Sequence, residues 1–133
     1  MKTAKLFRPV GQKELDLIEA SGFRQFPPRL PGQPIFYPVL TREYAEQIAR
    51  EWNTRDESSG FVGYVLEFEI DSSYLDGFEV QKAGGMQHLE YWIPAEELDA
   101  FNQHIRGRIK VIANFHANRE RLQQKFPQPF SVS

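Results

Sequence analysis

Apolar positions along the chain alternate between two spacings. One is the period of two that marks a half-buried strand, the other the period near 3.6 that marks an amphipathic helix. Ala4 to Pro9 reads as a first strand ended by its proline. Gly11 opens a helix with Glu14 in its first turn, Leu15 and Ile18 at helical spacing and Gly22 as its stop. Phe26 to Pro34 carries Pro27, Pro28, Pro31 and Pro34. These prolines remove backbone donors and fix φ, which predicts an ordered loop. Ile35 to Leu40 is strand-like, limited to an edge or a short strand by Pro38. Thr41 is placed to cap a helix over Arg42 to Trp52, with Tyr44, Ile48 and Trp52 as its inward stripe and Ala45 and Ala49 beside them.

Phe61 to Ile70 gives the clearest strand pattern. Val62, Tyr64, Leu66, Phe68 and Ile70 alternate with Gly63, Val65, Glu67 and Glu69, and Asp71-Ser72-Ser73 ends the run. Phe78 to Lys82 is a short strand broken by Gly84-Gly85, and His88 to Ile93 is another. Pro94 begins a short helix with Leu98, Phe101 and Ile105 inward, closed by Gly107. Arg108 to Phe115 alternates again, and the tail from His116 is helical to Lys125, then loose. Helices come early and strands late, which is an α+β order rather than a doubly wound one. No repeat and no Gly-rich phosphate loop is present.

At 133 residues the chain holds one ordinary domain. Eleven Phe, five Tyr and two Trp supply large buried areas, so so short a chain can still build a core. The formal charge of -2 offers no excess of cations for a phosphate backbone, which argues against general nucleic-acid binding. The absence of cysteine excludes disulfides and thiolate metal sites. The first residues reach no apolar signal segment before Arg8, and no run is long enough to span a bilayer. The expectation is a cytoplasmic protein without a membrane partner.

Four short motifs carry a resemblance. They are Leu6-Phe7-Arg8-Pro9-Val10-Gly11, Ile35-Phe36-Tyr37 ahead of the helix at Thr41, Gly63 to Asp71, and Gln87-His88-Leu89-Glu90-Tyr91-Trp92-Ile93-Pro94. In order and content they resemble the small ADP-ribosyltransferase-like domains. The whole chain resembles small bacterial proteins labelled "ADP-ribosylation/crystallin J1". The resemblance implies an α+β fold of split mixed or antiparallel sheets with short flanking helices, covering residues 1–116, with 117–133 as a tail. It also implies NAD as substrate, cleavage of the nicotinamide–ribose bond and transfer of ADP-ribose to an unknown acceptor. Three features depart from the family pattern. The second motif has no Ser or Thr of its own, Thr41 being the nearest hydroxyl. His88 stands where arginine-modifying members carry Glu. Pro9 follows Arg8 directly.

By that resemblance Glu90 is the key acid and His88 orients groups beside it, while Arg8, Tyr37 and Thr41 hold the dinucleotide. Each residue also has a plainer reading. Glu90 can be an exposed strand carboxylate, Arg8 a strand arginine in a salt bridge, and His88 a satisfied polar residue beside a glycine turn. Strand alternation allows only one of Phe36 and Tyr37 to face a pocket. Tyr44, Ile48 and Trp52 read as core. Arg24 and Arg29 flank the proline loop and could meet an anionic ligand, with solvated loop cations as the plainer reading. No His or carboxylate spacing forms a metal motif, so no metal is expected. A non-catalytic binding module on the same fold is the alternative. A hydrolase removing ADP-ribose ranks last, and the oligomeric state stays open.

Overall fold

The computed structural model describes residues 2–84 and 88–117. The tail reading from residue 118 onward, including its helix to Lys125, lies outside the described residues. So does Gly85 of the expected glycine break.

Strand β1 (Thr3–Val10) leads through Gly11 into helix α1 (Gln12–Ala20). After the proline loop come β2 (Ile35–Phe36) and α2 (Arg42–Glu51). Two short 3-10 turns precede β3 (Val62–Asp71), which is followed by a single helical turn, α3 (Ser72–Leu75). The second half holds β4 (Val80–Lys82), β5 (Leu89–Tyr91), β6 (Ile93–Pro94), α4 (Leu98–Gln103) and β7 (Ile105–His116). The result is a mixed α and β architecture of several small antiparallel sheets with short helices.

In the main sheet β3 lies between β1 and β7, antiparallel to both. β2 pairs with β6, and β4 with β5. The short segment centred on Val39 connects the β4–β5 pair to the main sheet. Val39 exchanges backbone hydrogen bonds with Phe7 of β1 (2.8 and 2.9 Å), and its neighbours Leu40 and Pro38 bond to Leu89 and Tyr91 of β5. The Pro38–Leu40 segment therefore fills the gap between β1 and β5. Pro38 takes part through its carbonyl, which accepts from Tyr91, so its missing N–H leaves nothing unpaired.

Several sequence expectations shift here, each for a local reason. β1 runs through Pro9 instead of ending there. Phe7 turns its backbone toward Val39, so Pro9, two residues on, presents its nitrogen to that same side, beyond the single Val39 bridge. The expected strand at Ile35 to Leu40 contracts to two residues plus that bridge. His88 to Ile93 divides into β5 and β6 around Trp92, which pair with different partners. Pro94 ends β6, and a 3-10 turn over Ala95–Glu97 precedes α4. Ile105 is buried as the first residue of β7, not the last of a helix. Gly107, with φ of 75°, lies within β7 where the register against β3 slips between Glu67 and Glu69. It makes a bulge rather than a helix stop.

The core has two parts. In the larger, Phe26, Phe36, Phe68 and Phe101 are buried and meet at tilted and edge-on angles, their centroids 4.9 to 5.9 Å apart. In the smaller, α2 lies across β1 and β3 through Ala45, Ala49, Val39 and Val65. Small side chains are required at this contact. A Cβ on Gly63 would collide with the backbone of Ala49, so the helix rests directly on the strand. This close packing rotates α2 away from the expected orientation. Ala45 and Ala49 are fully buried, Tyr44 and Ile48 half-buried, and Trp52 is 68% exposed.

Candidate functional site

The rotated face of α2 borders a cleft of about 820 Å³. Its walls are the end of β1, the first turns of α1, the proline loop, the 3-10 turns after α2, and the segment joining β2 to α2. Arg8, Tyr37 and Glu90 all line it. His88 and Thr41 do not. Both instead hold Tyr44, which does.

Arg8 comes from the inward side of β1, between the buried Leu6 and Val10. An arginine there must bring its partners with it, because a buried guanidinium keeps its charge. Glu14, one turn into α1, supplies them. Arg8 Nε donates to Glu14 Oε2 at 2.7 Å and Nη2 to Oε1 at 3.0 Å. Nη1 reaches the Tyr37 carbonyl at 3.3 Å, and the guanidinium carbon lies 4.5 Å from the Phe36 ring centre. Phe36 is in the core and Tyr37 is 40% exposed at the cleft, as strand alternation requires.

Glu90 is the central residue of β5 and only 7% exposed. Its Oε1 accepts from the Tyr44 hydroxyl at 2.9 Å and its Oε2 from the Trp92 indole nitrogen at 2.7 Å. Two neutral donors thus fix the carboxylate without neutralising it, and each oxygen retains accepting capacity. Burial and the hydrogen bond to Glu90 push the Tyr44 hydroxyl up to about 12, so it stays a donor at neutral pH. Thr41 caps α2 by accepting from Tyr44 N at 3.1 Å. His88 stacks on the Tyr44 ring, centroids 4.5 Å apart and planes 12° from parallel, with Nε2 3.2 Å from Gln47 Oε1. These two residues position Tyr44, which in turn positions Glu90.

On the wall formed by the 3-10 turns, Asn53 donates to Ser59 Oγ (2.9 Å), which donates to Asp56 Oδ2 (2.9 Å). A carboxylate only accepts, so the Ser59 hydrogen is committed to Asp56, and the Asn53 amide must turn its nitrogen toward Ser59. Its Oδ1 is then left buried without a hydrogen-bond partner among the described residues. Arg29, from the proline loop, also lines the cleft with a buried and unpartnered Nε.

The sequence reads Tyr44 and Trp52 as core and favours solvent for Arg29. The place of Tyr44 and Trp52 at the cleft follows from small residues, Ala45 and Ala49 one turn apart in α2 and Gly63 in β3. A helix packed through alanines onto a glycine turns its larger side chains to the flank. No such local pattern marks Arg29. Among the described residues no helix is long and apolar enough to cross a membrane, and no three His, Cys, Asp or Glu are grouped to hold a metal ion. In comparisons with known proteins, no family model, curated protein or solved structure matches this chain.

Proposed function

We propose that the cleft binds NAD, and that the chain is an ADP-ribosyltransferase-like protein cleaving the nicotinamide–ribose bond and passing ADP-ribose to an acceptor. The observation that carries this reading is the meeting of Arg8, Tyr37 and Glu90 on one cleft, from three separate stretches of sequence, with Glu90 buried and held by Tyr44 and Trp92.

The chemistry matches these groups. The bond between ribose C1′ and the nicotinamide nitrogen breaks. Its electron pair leaves with nicotinamide and cancels the ring's positive charge, while C1′ gains oxocarbenium character. The Glu90 carboxylate accepts a ribose hydroxyl hydrogen more strongly as that charge develops. A lone pair of the acceptor then forms the new bond to C1′, and the acceptor loses a proton. Tyr37 offers a ring on which nicotinamide stacks.

Nicotinamide release from NAD, followed with cell extract as acceptor source, tests this directly. Wild-type release that disappears in Glu90→Gln, with the fold retained, is the expected result. Release undiminished in that variant would end the mechanism. A second reading, a non-catalytic binding module, draws support from the protein partners already engaged by both Glu90 oxygens and by the Arg8 guanidinium. It expects NAD or a related ligand to bind with no nicotinamide released.

A further inference from the structure

We propose that Arg29 is the anion receptor of the cleft and takes the diphosphate of a nucleotide ligand, while Arg8 is a positioning residue retained by Glu14. The inference rests on the nucleotide-binding reading of the cleft but assigns its charged contact to a different residue.

Two arginines and one carboxylate meet at this wall. Both Glu14 oxygens accept from Arg8. Arg29 lies near enough to feel Glu14 electrostatically, yet no carboxylate is within ion-pair distance of it among the described residues. Its Nε is buried without a partner, and its closest ring contact is Phe36, 5.9 Å from the guanidinium carbon and already covered by Arg8 at 4.5 Å. Burial and the neighbouring Arg8 charge both lower the Arg29 pKa, but a guanidinium does not give up its proton at neutral pH. The wall therefore carries one uncompensated, half-buried positive charge with a planar fork of donors. Phosphate oxygens match such a fork in charge and shape.

The loop that carries Arg29 is tied to the body of the protein on both sides of that residue. Phe26 is buried in the core and its backbone exchanges hydrogen bonds with the Asn102 side chain (2.9 and 3.0 Å). Pro34 accepts from Ala95 N at 2.8 Å. Between them Leu30-Pro31-Gly32-Gln33 forms a tight turn closed by Gln33 N to Leu30 O at 3.0 Å, with Gly32 at φ of 85°. Proline second and left-handed glycine third is the type II pattern, and it limits the loop's freedom on both sides of the turn. Held in this way, the backbone that carries Arg29 is ordered before an anion arrives, which reduces the ordering cost of binding.

The probe is inorganic pyrophosphate, with NAD in a parallel titration, against the wild-type full chain, Arg29→Gln and Arg29→Lys. Wild type should bind pyrophosphate and melt at a higher temperature in its presence. Arg29→Gln should lose at least about tenfold in affinity for both probes, with Arg29→Lys between the two. Without any anion, Arg29→Gln should melt no lower than wild type, since it removes an unpaired charge and with it only a ring contact at 5.9 Å. Wild type that ignores pyrophosphate, or Arg29→Gln that binds it undiminished, overturns the assignment. Pyrophosphate binding that depends on Arg29, with no NAD binding, keeps the anion site and removes the NAD reading. Nicotinamide release unchanged in Arg29→Gln keeps the NAD reading and removes the anion site.

Discussion

Tyr44 on α2 and Glu90 on β5 are joined by a 2.9 Å hydrogen bond across 46 positions of sequence, and this bond links the helix that borders the cleft to the strand that carries its buried acid. Tyr44→Phe removes that donor and leaves the ring, so His88 keeps its stacking partner. Among the described residues Glu90 then retains only Trp92 as a donor, and its orientation loosens. Nicotinamide release should fall about tenfold to a hundredfold while NAD binding changes little. Nicotinamide release by Tyr44→Phe at the wild-type rate would show that the bond has no part in positioning Glu90.

The same hydroxyl gives a pH signature. The Tyr44 pKa is raised from 10.0 to about 12, and Tyr74, half-buried and beside Glu97, to which it donates a hydrogen bond, is raised likewise. A tyrosine with a higher pKa in the folded than in the unfolded chain holds its proton more tightly when folded. Its contribution is complete below pH 10 and is lost as pH climbs toward 12. Stability measured by denaturant unfolding should therefore decline across that window, and less steeply in Tyr44→Phe. An identical decline in the variant would rule out Tyr44 as a source.

Thr41 separates a structural role from a ligand role. Its hydroxyl accepts from Tyr44 N and caps α2, and it does not line the cleft. Thr41→Ala should lose about 1 kcal/mol of stability, the usual cost of an N-cap, with NAD affinity kept. Thr41→Ser should restore the cap. Lost affinity at unchanged stability would return Thr41 to the dinucleotide site that the family resemblance implies.

The element order, the proline loop, the Thr41 cap and the long third strand were legible because each depends on local chemistry or on a period of one element. What the sequence hid came from contacts between elements. The stripe Tyr44, Ile48, Trp52 has the spacing of a buried face, but its orientation is decided by the approach of Ala49 to Gly63, two positions whose proximity no periodicity reveals. Gly107 reads as a helix stop in the sequence, and only the register of β7 against β3 makes it a strand bulge. Arg8 and Glu14 are separated by six positions and by a change of element, so their pairing also appears only in three dimensions.

The two faces of α2 should respond oppositely to substitution. Gly63→Ala pushes a methyl group into the Ala49 backbone and should cost about 1–3 kcal/mol, the range for overpacked sites. Trp52→Ala, at an exposed position on the cleft wall, should change stability by no more than about 0.5 kcal/mol. It should instead weaken nucleotide binding. Because Trp52 is exposed there, part of any fluorescence change on titration with NAD should vanish with it. A large loss of stability in Trp52→Ala would place the ring back in the core.

Arg8 and Glu14 form the buried pair whose removal tests the division of labour between the two arginines. Glu14→Gln leaves Arg8 without its carboxylate partner while the Arg29 charge remains nearby. Glu14 is itself part-exposed, so the loss should stay at or below about 3 kcal/mol, the low end for a broken buried pair. Replacing both partners together, Arg8→Met with Glu14→Leu, removes charge and countercharge at once and should recover most of that stability, because no buried ion is left unpaired. Chemical denaturation of the single and double variants gives the coupling directly. If the double variant still binds pyrophosphate, Arg8 is dispensable for the anion. If it is stable and binds none, Arg8 contacts the anion itself and the assignment to Arg29 alone is too narrow.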